Sequence, residues 1–506
     1  MKKNLIYIFS KSIITVFLIG LLYGCIDLDE DPGKSLLSPE VLTTPEALDA
    51  ALAGAYRQVQ DNAKWSHFYI PGFGGDDITT HSASNKAGFR AFDQRNVTPT
   101  TERVVNHWNA MYLPMRSINN VIESRDKITG GDTELIDAKI GEAYFLRGLL
   151  YFYLTRSFGK VPLQLSSLPD PEKNVSEILE IYEQIESDFM EAERLLPMLN
   201  PASPGSANRP NKGSANAFLA KLYLYWGGWP LKDQSKFALS AAAAKKVMDN
   251  AGAHGFAMVE DMNTLWSEKD ENRFNSEGVF TLVMCRPCGG AFGNRTTGRL
   301  GYPGDVGGWT ETFAEVKFMN DMPEGPRKEA SYVTELEING VMTQWQDFEN
   351  EPRPLLKKVT GLAEEIPPTS NNSNNNINRY FMRYAEVLLT YAEASARAGD
   401  ANPQAWEAFN QVRRRAAGLL PYTNTYPSDI TSGDLVELAF IERKWELCGE
   451  FERWFDMTRT ETVKEALSDR SQEINQILGS LETDNYFTPI PQGEIDKAPQ
   501  LENSGN

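Results

Sequence analysis

The chain is poor in the residues that most catalytic centres need. Four histidines and four cysteines are spread over 506 residues. There is no HExxH, no GxSxG and no phosphate-cradling GxxxxGK[ST]. Zincin, α/β-hydrolase and P-loop chemistry therefore have no basis in the sequence. A glycosidase could be built from two carboxylates about 5–10 Å apart across a cleft. No local pattern among the 69 acidic residues nominates such a pair. Positive charge is short too. The 50 Lys and Arg leave a formal charge of −19, a surface that repels phosphate backbones and argues against nucleic acid as a partner. Long apolar stretches are also missing. The run from Ile13 to Leu22 falls well short of the roughly 20 residues that a membrane-spanning helix requires.

That run does form the core of a secretory leader. Lys2, Lys3 and Lys11 flank it on the N-terminal side, and it ends in Leu22-Tyr23-Gly24-Cys25. The Gly-Cys end is similar to a bacterial lipobox, in which Cys25 is acylated and becomes the first mature residue. Tyr23 is large for its place, and the alternative is an ordinary leader with an incidental cysteine. Several acyl chains on Cys25 exceed the two-signal threshold for stable anchoring. The expectation is a protein tethered to a membrane without crossing it. Loss of residues 1–24 removes three lysines and no acid, so the formal charge moves from −19 to −22.

Residues 25–43 make an acidic tether. Asp27, Asp29 and Asp31 superficially match a calcium loop, but Gly33 comes one place too late and position twelve is Ser38. No cofactor is indicated, and nothing in the sequence marks a structural calcium or other metal site. The cluster Asp27, Asp29, Glu30 and Asp31 is similar to the surface-export signal of Bacteroidetes lipoproteins. It reads equally well as a solvated linker. Cys285-Arg-Pro-Cys288 is a CxxC without a second CxxC, and His254 lies 31 residues upstream. Two ordinary thiols are the leading expectation, ahead of a local disulfide. Cys448 falls on an apolar helix face and is expected in the core.

Apolar residues recur at three-and-four spacing over most of the chain, and strand-like alternation is scarce. Thr44-Pro45-Glu46 supplies an N-cap, a first-turn proline and an acid for a helix running to about Lys64. Further helices are expected over Val104–Lys127, Glu134–Phe158, Ser176–Leu196, Lys212–Trp226, Ser235–Asn250, Tyr380–Ala398, Pro403–Ala417, Ser432–Thr460 and Glu461–Ser468. The helix over Glu134–Phe158 is apolar nearly all round and should be buried, with Gly159 ending it. Residues 65–100 and 252–378 break the pattern with Gly, Pro, Asn and aromatics. Leu388, Ala392, Gly399, Ala405 and Phe409 fit a tetratricopeptide unit with one extra residue at the turn. Ala217 and Ala220, with Ala241 to Ala244, suggest a second helix pair. The fold class is therefore all-α dominated, a helix-pair scaffold with a loop-rich second lobe.

Several blocks stand in a fixed order along the chain. Ala143-Tyr-Phe-Leu-Arg147-Gly leads to Phe158-Gly159-Lys-Val-Pro162, and Arg209-Pro210 leads to Tyr225. Arg383-Tyr384-Ala-Glu386 is followed by Ala392-Glu393-Ala394 and by Asn410-x-Val-Arg413. Glu442-Arg443-x-x-Glu446-Leu-Cys-Gly449 runs on to Arg453-Trp454-x-Asp456, and Pro489-Ile-Pro491 closes the series. Any one block is weak, but the ordered set is specific, and it resembles one family, the SusD/RagB-like nutrient-binding outer-membrane lipoproteins. The resemblance implies a single tetratricopeptide-like domain over 44–506. Its scaffold would lie at about 44–64, 104–250 and 379–468, and its ligand-side loops at about 65–100 and 252–378. It also implies an outer-membrane location and a SusC-like TonB-dependent transporter as partner, with this protein as a lid over the pore. Glu442, Arg443, Glu446, Arg453 and Asp456, read as one long helix, have spacings that allow ion pairs. Arg147 and Arg383 should pair with acids.

Sugars present apolar C–H faces and hydroxyl edges, so a receptor needs aromatic rings beside amides, carboxylates or guanidinium groups. Residues 65–93 offer Trp65, Asn85, Phe89 and Arg90, with Tyr69, Phe73 and Phe92 as further rings. Asp77, in Gly74-Gly75-Asp76-Asp77, reads as turn-forming or polar-contact, not catalytic. Residues 292–313 offer Asn294, Arg299, Tyr302, Asp305 and Trp309. Gly298, Gly301, Gly304 and Gly307 recur there every third residue, giving backbone that can bend close to a ligand. Trp309 and Tyr302 on such a loop are expected at the ligand and not in the core. The functional expectation is capture of oligosaccharide for the transporter, without enzymatic activity. Peptide capture by the same architecture is the alternative.

Overall fold

The computed structural model describes residues 42–63, 66–200, 209–285, 293–294, 301–309, 311–349, 351–365, 375–419, 429–468, 470 and 475–502. The leader, Cys25, Trp65, Arg299 and the run 366–374 lie outside the described residues.

The principal helices are α1 (Pro45–Ala63), α2 (Glu102–Glu123), α3 (Thr133–Phe158), α4 (Ile178–Leu195) and α5 (Lys212–Trp226). After them come α6 (Lys236–Asp249), α7 (Tyr384–Arg397), α8 (Pro403–Ala416), α9 (Leu435–Glu446) and α10 (Arg453–Thr460). Their starts follow local capping chemistry. The Asp132 carboxylate accepts from Glu134 N, Asn211 and Ser214 form a capping box, and Asn402 accepts from Ala405 N. Gly159, at φ 69°, stops α3 where a side chain would be strained.

From Ile140 onward α3 is buried on every side except at the half-buried Tyr144, and α5 is buried from Gly213 to Trp226. These two helices are the axis on which the amphipathic ones pack: α4 touches both, and α6 packs on α5 and α7. Small residues allow the closest approach. The Ser240 hydroxyl donates to Ala220 O at 2.7 Å, with Ala243 and Ala244 buried alongside. The α5–α6 and α7–α8 contacts are the two helix pairs that the alanine spacing implies.

The strands are short and pair as two-stranded ladders: β1 (Ile78–Thr79), β2 (Gly278–Leu282), β3 (Phe313–Ala314), β4 (Tyr332–Val333), β5 (Glu335–Ile338), β6 (Val341–Gln344), β7 (Leu355–Leu356) and β8 (Arg379–Arg383). The antiparallel pairs are β1–β3, β2–β8, β4–β7 and β5–β6. Two helical expectations are corrected here. Residues 379–383 form β8, because β2 supplies the hydrogen bonds, and the helix begins only at Tyr384.

The expected helix over 432–460 is two helices, interrupted at Gly449 and Phe451 with φ of 71° and 67°. The break turns Glu450 and Glu452 inward. Glu452 meets Arg156 at 2.8 Å and Lys221 at 2.9 Å, and Glu450 meets Arg383. A continuous helix could not aim both into the interior. Ion pairing at Arg147 and Arg383 matches expectation, with Asp188 holding Arg147 at 2.7 Å.

Cys448 is buried and free. Cys285 is disulfide-bonded, which corrects the expectation of ordinary thiols. Among the described residues no helix is long and apolar enough to cross a membrane.

Ala392 has no exposed surface in the middle of α7, which packs on α6, α8 and α9. Ala392→Leu is therefore expected to overpack that junction and cost about 1–3 kcal/mol, read as a lowered melting temperature. A melting curve matching the parent's would contradict the close helix packing.

Candidate functional site

Three chain segments meet where β1 pairs with β3. Ile78 lies opposite Ala314 and Thr79 opposite Phe313, which sets loop 80–86 beside residues 303–309 and 311–312. Ala314 N donates to Pro354 O at 3.0 Å and draws in the segment before β7. Side chains then tie the three together. Lys86 meets Glu311 at 2.8 Å, and Ser82 donates to Glu351 through its backbone N at 3.3 Å and its hydroxyl at 3.2 Å. Ala83 N donates to His81 Nδ1 at 2.8 Å, which assigns the ring hydrogen to Nε2. The 3.5 Å approach of that same Nδ1 to Glu351 is then not an ion pair. Glu349 N donates to the Asp305 carboxylate at 3.1 Å.

The underside is rigid. Arg90 donates to His81 O at 3.0 Å and to Ala83 O at 2.7 Å, bracing the loop from below. Asp93 is wholly buried and accepts from Thr80 N, both threonine hydroxyls at 79 and 80, Asn475 and Arg470. A carboxylate with so many donors fixes the entry of the loop more firmly than a backbone turn would. Tyr302, Val306 and Phe313 pack with Val333, Leu336, Phe348 and Leu355 in a small separate core beneath the second loop. A Cβ on Gly308 would fall 1.9 Å from Tyr302 O, so only glycine permits that turn.

Most of the residues expected at the ligand turn out to hold the loops. Trp309 is half-buried and Asn85 exposed on the converging segments, with Asp305 and Arg90 half-buried among them. Tyr302 is only 2% exposed, a correction: its ring is the centre of the small core under the loop. Burial also pushes the Tyr302 phenol well above its ordinary value.

Phe89 is likewise interior, packed 5.1 Å from Phe73 and under the Arg103 guanidinium. Tyr69, Phe73 and Phe92 are core as well. Asn294 is buried, pairing with Asn375 and donating to Ile377 O at 2.8 Å. These side chains were expected outward because loops usually expose them, but the four rings belong to the main core and the Asn294–Asn375 bridge turns Asn294 in. Lys86, Glu311 and Glu351 were missed. They are ordinary charged residues whose pairing spans hundreds of positions, and no local pattern announces them.

Asp77 is interior too. One oxygen accepts from Gly449 N at 2.7 Å, while neighbouring Asp76 takes Arg453 at 2.6 Å. Burial, then the Asp76 charge, push Asp77 up to about 7, against the pull of the Gly449 bond and Arg453. Asp77 thus joins the loop base to the interruption between α9 and α10.

The larger clamp lies deeper. Glu446 on α9 accepts from Arg383 at 2.8 Å and Arg415 at 2.6 Å, with Arg327 at 3.5 Å. Glu277 accepts from the same two arginines at 2.6 and 2.7 Å, and Lys358 donates to Glu446 O and Glu450 at 2.7 Å each. Glu277, Arg327 and Lys358 come from the loop-rich region; Arg415, Glu446 and Glu450 come from the scaffold. Burial alone would raise Glu446, but Arg415, Arg383 and Arg327 hold it at about 2.

The arrangement offers a rigid, polar surface with one indole on it, held to a helical body by buried charges. Among the described residues there is no cluster of three or more side chains suited to a metal ion. Such a surface suits contact with a polar ligand. The "SusD family" model matches residues 306–505, and a model described as "Starch-binding associating with outer membrane" matches residues 28–224. The chain belongs to the SusD/RagB-like family. It is 25% identical to SusD-like protein P2 of Formosa agariphila, covering 95% of this chain and 96% of that one. A SusD homolog from Bacteroides thetaiotaomicron shares the fold at TM-score 0.75, with 24% identity over 90% of this chain and 96% of that one. A laminarin-binding SusD-like protein superimposes at TM-score 0.72, with 24% identity over 91% and 98% of the two chains.

Two acids give opposite pH signatures. Glu446, at about 2 in the fold against an ordinary 4.5, contributes stability that is complete above about pH 4.5 and is lost as pH falls toward 2. Glu446→Gln should lower stability by about 3–5 kcal/mol at neutral pH and flatten that acid limb of the melting curve. Asp77 is raised from 3.8 to about 7, so its ionisation weakens the fold as pH rises across that interval. Asp77→Asn should therefore gain stability relative to the parent between pH 4 and pH 7. A constant difference across that range would contradict a buried, titrating Asp77.

Proposed function

We propose that this protein captures oligosaccharide on the surface formed by residues 80–86, 303–309, 311–312, 349 and 351–353, and hands it to a TonB-dependent transporter in the outer membrane. The observation that carries the reading is the placement of Trp309. Its half-buried indole sits on a turn braced from beneath by the Tyr302 core, two residues from the Glu311–Lys86 pair. An indole supplies a face for sugar C–H groups, and the nearby amide of Asn85 and carboxylate of Asp305 suit hydroxyls. Laminarin binding by a relative of the same fold supports the ligand class. The outer-membrane description of the matching family model supports the location, with Cys25 as the lipid anchor and the ligand face turned outward. Relatives named as binding proteins, together with the absence of catalytic motifs, favour capture without cleavage.

Trp309→Ala tests this directly. Titration against a panel of oligosaccharides should show binding weakened at least tenfold, with the melting temperature nearly unchanged. Unfolding of the variant would mean that Trp309 is structural. Silence of the parent across the panel, with a positive peptide screen, would replace the glycan by peptide.

A further inference from the structure

We propose that a second saccharide subsite lies on the scaffold, in the cleft between the C-terminal ends of α5 and α10 and the start of α9. The cleft holds about 340 Å³ and shares no lining residue with the loop surface described above. That volume lies within the range of small-ligand pockets.

Its aromatic side is Trp229, Phe237 and Phe440. Trp229 is half-buried, and its ring is backed by Phe487 at 4.6 Å and Tyr486 at 5.0 Å. The wall is fixed by backbone as well. Trp229 N donates to Arg459 O at 2.9 Å, and Lys232 N to Gly228 O at 2.7 Å. A Cβ on Gly228 would stand 2.4 Å from Arg459 O, so the strand of chain cannot sit there with a side chain. Lys232 and Glu461 both adopt left-handed backbone, at φ 56° and 57°, and pair across the cleft mouth at 2.7 Å.

The polar edge carries unused capacity. The side chains of Gln234 and Glu437 are exposed and form no hydrogen bond or ion pair with another described residue. They offer an amide donor and acceptor and a carboxylate acceptor beside the rings, the set that sugar hydroxyls take up. A purely apolar ligand would strand those groups. A polyanion would meet Asp434 and Glu437, while the cations of the same lining, Lys232, Arg397 and Arg459, are already paired with Glu461, Glu393 and Asp456. A neutral saccharide suits both sides. The choice of saccharide rests on the function proposed above, and two subsites on one rigid body would raise the avidity for a chain long enough to reach both.

The test is the stoichiometry of titration of the full-length chain with gluco-, xylogluco- and manno-oligosaccharides, together with Trp309→Ala and the double variant Gln234→Ala, Glu437→Ala. Two sites per chain are expected for the oligosaccharide recognised. The double variant should weaken one site at least tenfold with an unchanged melting temperature, and Trp309→Ala should remove the other. A single site abolished by Trp309→Ala overturns the scaffold subsite and leaves the loop surface standing. A single site that survives Trp309→Ala but is lost in the double variant supports the cleft and rejects the loop surface. Silence of every oligosaccharide overturns both.

Discussion

Burying charge is costly unless every charge is answered, and this fold is organised around doing so at Glu446. Two arginines lie between Glu446 and Glu277 with no exposed side-chain surface on any of the four groups. Removing one member would strand its partners in a medium where they cannot be hydrated, which is why such a cluster tolerates only one arrangement. Arg383 stands at the junction of β8 and α7, Arg415 near the end of α8, and Glu446 at the end of α9. Satisfying them fixes the relative placement of three helix ends and the strand that leads back into the loop-rich region.

The candidate ligand surface inherits its rigidity from that arrangement. Glu446 and Glu450 flank the helix interruption, and Gly449 between them donates to Asp77. Asp77 in turn opens β1, whose pairing with β3 brings the ligand-side loops together. A continuous path of hydrogen bonds thus runs from the scaffold to the base of the loop that carries Asn85, with Asp93 and the Tyr302 core supporting the two loops from below. Preorganised loops lose little conformational entropy on binding, which matters for ligands as weakly apolar as sugars.

Much of the scaffold was legible in the sequence because its signals are local. Capping residues, the all-apolar face of α3 and the alanines of α5 and α6 act within one or two turns. The interruption of 432–460 was not read, although Gly449 was its signal, because the residues that reward the break are Arg383, Arg156 and Lys221, far away in sequence. The site was less legible for the same reason. Aromatic residues in a glycine-rich loop point to ligand contact only when no core claims them. The small core claims Tyr302 and the main core claims Phe89, while Trp309 is half-buried. Glu311 and Glu351, two of 69 acids, acquire meaning only once β1 and β3 are paired.

Under the proposed function, ligand is held on the surface made by the converging loops. Hydrogen–deuterium exchange with and without a bound oligosaccharide tests it most directly, since it reports where the backbone is covered without altering a residue. Slowed exchange is expected in residues 80–86, 303–309, 311–312, 349 and 351–353, with the helices α3 and α5 unchanged. Binding that leaves those three segments unaltered would contradict it.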